Sequence, residues 1–386
     1  MLTTPVSTVL LAYCVAKLDG SVVALIYQIT KTGFWNLIQE QWIMNICGTI
    51  QCWKIIGVLS LTQMIFMRFL PGCSSWGLNF FPASILIDLY LELVITLVCF
   101  GFIFCGILYI KGVFFPSTVE SDLSGNVVFD FFWGTELYPR VLCWDVKVFT
   151  NCRFGLMLWQ MLIFSGLAYQ QNTYGEISFA YMATAIIQTQ YLFKFYLWEK
   201  AYTKSMDIAW DRAGFYICWG CIAFVFVGFN TPTIYLAMYN VDISREFCAA
   251  CILLGVLFTW LTYWADMQKE IVRETEGKCL VFGKKPEIIL AKYKVGDREE
   301  KVNILLVSGF WGWARQFHCI LELLASLAWT LPALFNTIFP WIYLFTLCLV
   351  VIQHVVRDEW KNKEKYGKYW EEYSKRVPYR VMPYII

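Results

Sequence analysis

Residues 93–110 read LVITLVCFGFIFCGILYI, carry no charged side chain and are closed by Lys111. A membrane-spanning helix needs about 20 predominantly apolar residues, so this stretch reads as a span. Working outward, comparable apolar runs lie near 5–28, 53–70, 155–170, 177–197, 213–237, 247–265, 319–337 and 338–356. Several abut or are interrupted by polar residues, and the pattern predicts about eight to ten transmembrane helices. Segment 34–50, with Trp35 and Trp42, reads as a short interfacial helix. The expected fold is an all-α, polytopic integral membrane protein.

Composition agrees. Of 386 residues 59% are hydrophobic, 18% aromatic and 16% charged, whereas soluble domains run nearer half apolar and a quarter charged. A water-soluble enzyme and a disordered chain are excluded. The net charge of +2 is too balanced for a nucleic-acid partner. The 15 cysteines are scattered through apolar segments and read as reduced thiols. Lys17 and Asp19 interrupt the first apolar run, which argues against a cleavable signal peptide.

Charge is concentrated in two places. Residues 267–301 hold nine Lys/Arg and seven Asp/Glu, and 357–376 hold seven and five; together they carry 28 of the 60 charges. The positive-inside rule puts both on the cytoplasmic side, so an even number of crossings separates them. The intervening 302–356 would span about 80 Å as helix. Two crossings of about 30 Å leave a surplus, which suits a re-entrant or interfacial stretch around 304–318. Non-helical backbone at that depth survives against protein or a water-filled cavity. A pocket opening to the cytoplasm in the C-terminal half is expected.

Ionisable groups inside apolar segments are costly and default to functional hypotheses. Lys194 and Glu199 fall in one helical segment, and Asp207, Asp211 and Arg212 precede the run GFYICWG. Between Val302 and Val356 stand Arg315, His318, Glu322 and His354, whose histidines are the only two in the chain. Each has a plain alternative as a headgroup-level or packing residue. The pairs Cys218/Cys221 and Cys248/Cys251 have zinc-ligand spacing but lie in strongly apolar segments, so no metal site is expected. No Rossmann or Walker fingerprint is present, and no inverted repeat supports a transporter.

Five ordered motifs resemble the sterol reductases of the endoplasmic reticulum, membrane enzymes that reduce sterol double bonds with NADPH. They are GTELYPR (134–140), DIAWDRAGFYICWG (207–220), DMQKEIVRETEGKCLVFGKKP (266–286), LLVSGFWGWAR (305–315) and RDEWKNKEKYGKYWEEYSKRVPYR (357–380). The resemblance runs from Lys111 to the C-terminus. It divides the chain into N-terminal transmembrane helices (1–110) and a reductase core (111–386). Phe310, Tyr216 and Trp219 lean toward the delta-7 branch, which reduces the C7–C8 bond. Reduction at C14 or C24(28), or a catalytically impaired sterol-binding homologue, are the alternatives.

The resemblance implies NADPH contacts from Lys269 and Arg273 to phosphates, from Leu306 and Trp311 to adenine or ribose, and from His318, Glu322, His354, Asp358 and Tyr366. It implies a sterol arriving from membrane lipid, in the endoplasmic reticulum membrane or an equivalent internal one. Tyr191 is the first candidate proton donor, one face along from Glu199, with Asp207, Asp211 and Glu136 as relay or orienting groups. The chain also departs from the family pattern. Gln316, Phe317, His318 and Cys319 replace an H-x-N-Y run, and Glu322, His354, Lys194, Cys221, Asp266 and Tyr138 stand where other polar residues are usual. A Y-x-x-N-G-L motif with its following span is missing between Pro71 and Pro82. Each lost charge-assisted contact could cost about 1.5–3 kcal/mol.

Overall fold

The computed structural model describes residues 3–32, 82–117, 121–141, 144–203, 205–295 and 299–384. The chain is a multi-pass membrane protein. Among the described residues five helices are long and apolar enough to cross a membrane: Tyr90–Phe114, Val146–Tyr174, Phe215–Met238, Arg245–Glu274 and Phe339–Tyr366. A sixth span arises if the first two helices, α1 (Thr3–Lys17) and α2 (Val22–Thr32), are one broken crossing bent by 109°. The bend falls where Asp19 and Gly20 both take positive φ.

The eight to ten expected spans differ from this number for identifiable reasons. The 53–70 run, segment 34–50 and the missing motif after Pro71 lie outside the described residues. The 177–197 run is helical from Phe179 to Leu197, but Thr184, Gln188, Gln190 and Lys194 dilute it. The 319–337 run forms Phe317–Thr330, about 21 Å of helix, too short to cross about 30 Å of hydrocarbon.

The chain forms two compact units: Met1–Cys248 with Pro332–Tyr343, and Ala249–Leu331 with Leu344–Ile386. In the first, the helices are α3 (Ile85–Asp88), α4 (Tyr90–Phe114), α5 (Val127–Trp133), α6 (Val146–Tyr174), α7 (Phe179–Leu197), α8 (Glu199–Tyr202), α9 (Met206–Ala209) and α10 (Phe215–Met238). The opening stretch of the sequence is α4. Its Leu93, Val94, Leu97 and Val98 are buried, whereas Ile103, Ile107, Ile110 and Phe114 form an exposed stripe. A helix apolar on every side needs both a protein face and a lipid face.

Glycine lets α10 approach α4 closely: a Cβ on Gly101 would lie 2.7 Å from the Trp219 ring. The same device joins two of the motifs. A Cβ on Gly134 would lie 2.6 Å from the Ala213 carbonyl carbon, so GTELYPR crosses backbone-on-backbone over DRAGFY. The first turns of α10, Phe215–Phe224, and the segment Phe149–Gly155 of α6 are π-helical, a geometry found often at functional sites. A short two-stranded ribbon, β1 (Arg140–Val141) and β2 (Trp144–Asp145), leads into α6.

The second unit takes its helices from α11 (Arg245–Glu274), α12 (Phe310–Trp313), α13 (Phe317–Thr330), α14 (Phe339–Tyr366) and α15 (Lys368–Arg376). Beside these helices it contains a strand pair, within a fold that is predominantly helical as expected. Charged residues 288–306 form an antiparallel hairpin, β3 (Ile288–Val295) with β4 (Glu299–Leu306), in register Ile288↔Leu306 to Val295↔Glu299. Alternation made this possible: Ile289, Ala291 and Leu305 are buried against Tyr366, Trp370, Tyr373 and Val377, whereas Leu290 and Val302 face outward. The two charged segments thus share one hydrophobic core, as their assignment to one side of the membrane requires. The irregular stretch expected around 304–318 is the end of β4, the short α12 and the turn into α13.

Candidate functional site

In the second unit the site is organised around Trp311. Gly309 has φ +67, and a Cβ there would lie 2.7 Å from the Gln268 carboxamide carbon. Its absence lets the Phe310 N–H donate to Gln268 Oε1 at 3.0 Å. The Trp311 indole N–H then donates to the Ala265 carbonyl at 2.8 Å, and Trp311 O accepts from the Tyr373 hydroxyl at 3.3 Å. Ala265 is one turn before Lys269 on α11, and Lys269 Nζ stands 3.8 Å from the Trp311 ring centroid, a close cation–π pair. Arg273 is one turn further and donates through Nε to Ile304 O at 3.4 Å. Two cations at i and i+4 share this helix face.

On its other neighbours Trp311 meets the His318 ring at 5.2 Å, and His318 Nε2 lies 3.6 Å from Cys319 Sγ. Leu306, Phe310 and Trp311 bury together against Ala265 and Val272. Asp358, on α14, lies within electrostatic range of Lys269; it accepts from Gln316 Nε2 and, at 2.8 Å, from Asn362. Glu322 lies within electrostatic range of Cys319. His354 is one turn before Asp358 on α14. Lys269, Arg273, Leu306, Trp311, His318, Glu322 and Asp358 therefore converge. Tyr366 lies in the core of the strand pair, where its hydroxyl accepts from Asn303 at 2.7 Å and its ring lies 5.5 Å from Tyr293.

Arg315 has a different job from the one its isolation in an apolar run suggests. Its guanidinium donates to Glu359 Oε2 at 3.0 and 3.2 Å and to the carbonyls of Val377 and Pro378 at 2.6 and 3.1 Å. Its own N–H and that of Gln316 pair with the carbonyls of Tyr379 and Arg380. Glu359 is held in turn by the Trp370 indole at 3.0 Å. Arg315 clamps the C-terminal segment. Burial pushes the Tyr373 phenol well above its ordinary range, so it remains a hydrogen-bond donor.

The first unit contains the other predicted residues, and the structure rearranges them. Glu199 does not continue the helix of Tyr191: α7 ends at Leu197 and Glu199 opens α8. Its partner is Arg153 of α6, at 2.8 Å, not Lys194. Lys194 instead lies 5.6 Å from the Tyr191 ring centroid, and Tyr191 packs on Trp159 at 6.0 Å. Glu136 is buried and paired with Lys111 at 2.7 Å. Its carbonyl accepts from Ala213 at 2.9 Å.

Asp207 and Asp211 converge on a group the sequence reading passed over. Lys147 is fully buried. Its ammonium donates to the carbonyls of Ile208 and, at 2.8 Å, Asp211, and lies 4.8 Å from the Tyr138 ring centroid. Asp145, Asp207 and Asp211 are all within its electrostatic range. The signal was present: a lysine in WDVKVF, in the first turn of a span, has the intramembrane character used to single out the others. Cys221, where an aspartate is usual, meets the Asn151 side chain.

Residues 74–386 match the Ergosterol biosynthesis ERG4/ERG24 family. The chain is 36% identical to 7-dehydrocholesterol reductase of Arabidopsis thaliana, over 98% of this chain and 94% of that protein. It is 30% identical to 7-dehydrocholesterol reductase of Xenopus laevis, over 87% and 71%. It is 29% identical to the Delta(14)-sterol reductase ERG24 of Candida albicans, over 88% and 76%. The chain belongs to the ERG4/ERG24 family.

Proposed function

We propose that this member of the ERG4/ERG24 family reduces the C7–C8 double bond of a sterol with NADPH, in the endoplasmic reticulum membrane or an equivalent internal membrane, with residues 111–386 as the reductase core. The observation that carries the cofactor reading is the donor set around Trp311. A dinucleotide with several phosphates needs fixed cations and an aromatic face, and Lys269 and Arg273 share one face of α11 while the Trp311 indole packs against that helix beside Lys269. The residues present fit the group. Lys269 and Arg273 would hold phosphates, Leu306 and Trp311 would pack on adenine or ribose, and His318, Glu322, His354 and Asp358 would contribute polar contacts. Tyr366 would act through the hairpin it anchors. Bound NADPH would supply a hydride.

A sterol alkene also needs a proton on its second carbon. Tyr191 is the proposed donor. Its ring lies beside the Lys194 ammonium and on Trp159, and a neighbouring cation stabilises the phenolate left when the proton departs. Glu136 and Glu199 are ion-paired carboxylates, so their proposed role is orienting. Asp207 and Asp211, gathered around Lys147, are the proposed relay. The apolar helices suit a sterol supplied by membrane lipid.

The Arabidopsis and Xenopus relatives favour C7–C8, and the Candida relative makes C14 the competing bond. Purified protein incubated with NADPH and 7-dehydrocholesterol should remove the conjugated-diene ultraviolet absorbance. If the diene persists while a C14-unsaturated sterol is reduced, the C7–C8 assignment fails. If sterol binds and NADPH does not at millimolar concentration, the enzyme reading fails altogether.

A further inference from the structure

On α11, residues 247–265 carry no charge and extend about 28 Å at 1.5 Å per residue, close to the hydrocarbon thickness. Trp264 therefore stands at the edge of the hydrocarbon, with Asp266, Lys269 and Arg273 beyond it. The chain leaves α11 at Glu274 and folds back. Val281 and Lys284 exchange two backbone hydrogen bonds of 2.8 and 3.1 Å around Phe282 and Gly283, both at positive φ, +49 and +75. Two consecutive left-handed residues make the turn of type I′, whose first position favours Asn, Asp or Gly. A phenylalanine there is strained.

The ring explains its presence only in part. It lies 5.2 Å from Phe310, 5.7 Å from Trp264 and 6.3 Å from Trp313, yet Phe282 is 49% exposed and Leu280 71%. Trp264 and Trp313 are also exposed. Between this turn and the Trp264, Met267 and Ile271 face of α11 runs a cleft of about 280 Å3. Gln268 supplies its one polar side chain, already engaged by Phe310 N–H. Lys284 and Lys285 follow the turn directly and are exposed. Lys278 before it is answered by Glu276 at 3.7 Å.

The geometry points to a binding site for an anionic phospholipid: an acyl chain in the cleft, Leu280 and Phe282 inserted beside it at the acyl–headgroup boundary, and the phosphate on Lys284 and Lys285. Aromatic side chains favour that depth, and lysines next to a span attract anionic headgroups. This face of α11 is offset from the one that carries Lys269 and Arg273, so the site does not depend on the cofactor assignment.

The test uses the full chain in nanodiscs of phosphatidylcholine with increasing phosphatidylserine, followed by native mass spectrometry of the lipids it retains. Wild type should retain phosphatidylserine in preference to phosphatidylcholine. K284Q/K285Q should reduce that preference about 25-fold, roughly fivefold for each lysine. F282N suits the turn better and should melt in detergent at or above the wild-type temperature, while retaining several-fold less of both lipids. A K284Q/K285Q preference within twofold of wild type, or F282N retention equal to wild type, overturns the site.

Discussion

Replacing Arg315 by alanine tests whether the second unit is closed by a clamp. The side chain is 5% exposed and makes two bonds to Glu359 and two to the carbonyls of Val377 and Pro378. Removing one partner of a buried ion pair costs about 3–5 kcal/mol. Glu359 is 25% exposed and regains some water, which places the loss at the lower end. The two carbonyls add a cost of about 1–3 kcal/mol each if they stay dry. Taking the low end of each, a total of about 5 kcal/mol corresponds to a melting decrease of roughly 10–20 °C at 2–4 °C per kcal/mol. R315K keeps the charge but loses the planar fork, and should fall between alanine and wild type. The assay is thermal unfolding of purified protein in detergent without cofactor. Should R315A melt within 2 °C of wild type and only weaken NADPH binding, Arg315 contacts the cofactor and the clamp argument is wrong.

Four further outcomes are expected. K269A should raise the KM for NADPH about 10–100-fold, the loss of one charge-assisted contact, with melting almost unchanged; an unaltered KM would remove Lys269 from the cofactor site. G309A should destabilise by about 2 kcal/mol or more, because φ is +67 and the new Cβ meets Gln268; a wild-type melting curve would show that the turn relaxes freely. Y191F should lower kcat by at least tenfold with little change in KM for NADPH if Tyr191 donates the proton, and an unchanged kcat would exclude it. The Ser124 hydroxyl and N–H hold the Asp130 carboxyl below its ordinary value. Its contribution is therefore present above the unfolded value near pH 4 and lost as pH falls through the folded one, so the melting difference between wild type and D130N should shrink below about pH 4; a difference that stays constant with pH would refute this.

The membrane class, most spans and the common side of the two charged segments were legible in the sequence because hydropathy and charge are local properties that accumulate along a helix. Strand alternation in 288–306 was equally local, but was hidden inside a stretch read for its charge. The proposed cofactor residues Lys269 and Arg273 could be placed together for the same reason: they are one turn apart on one helix. What each buried ionisable group pairs with was decided only by tertiary structure. Glu199 looked like a neighbour of Tyr191 and instead meets Arg153, 46 residues away; Lys147 is satisfied by carbonyls 61 and 64 residues further on. A low-dielectric interior forces each charge to find a partner, and which partner is nearest depends on how helices pack. The turn at Phe282 is the same lesson in backbone form, since the Trp264, Phe310 and Trp313 rings that contact a bulky residue at left-handed φ come from elements distant in sequence.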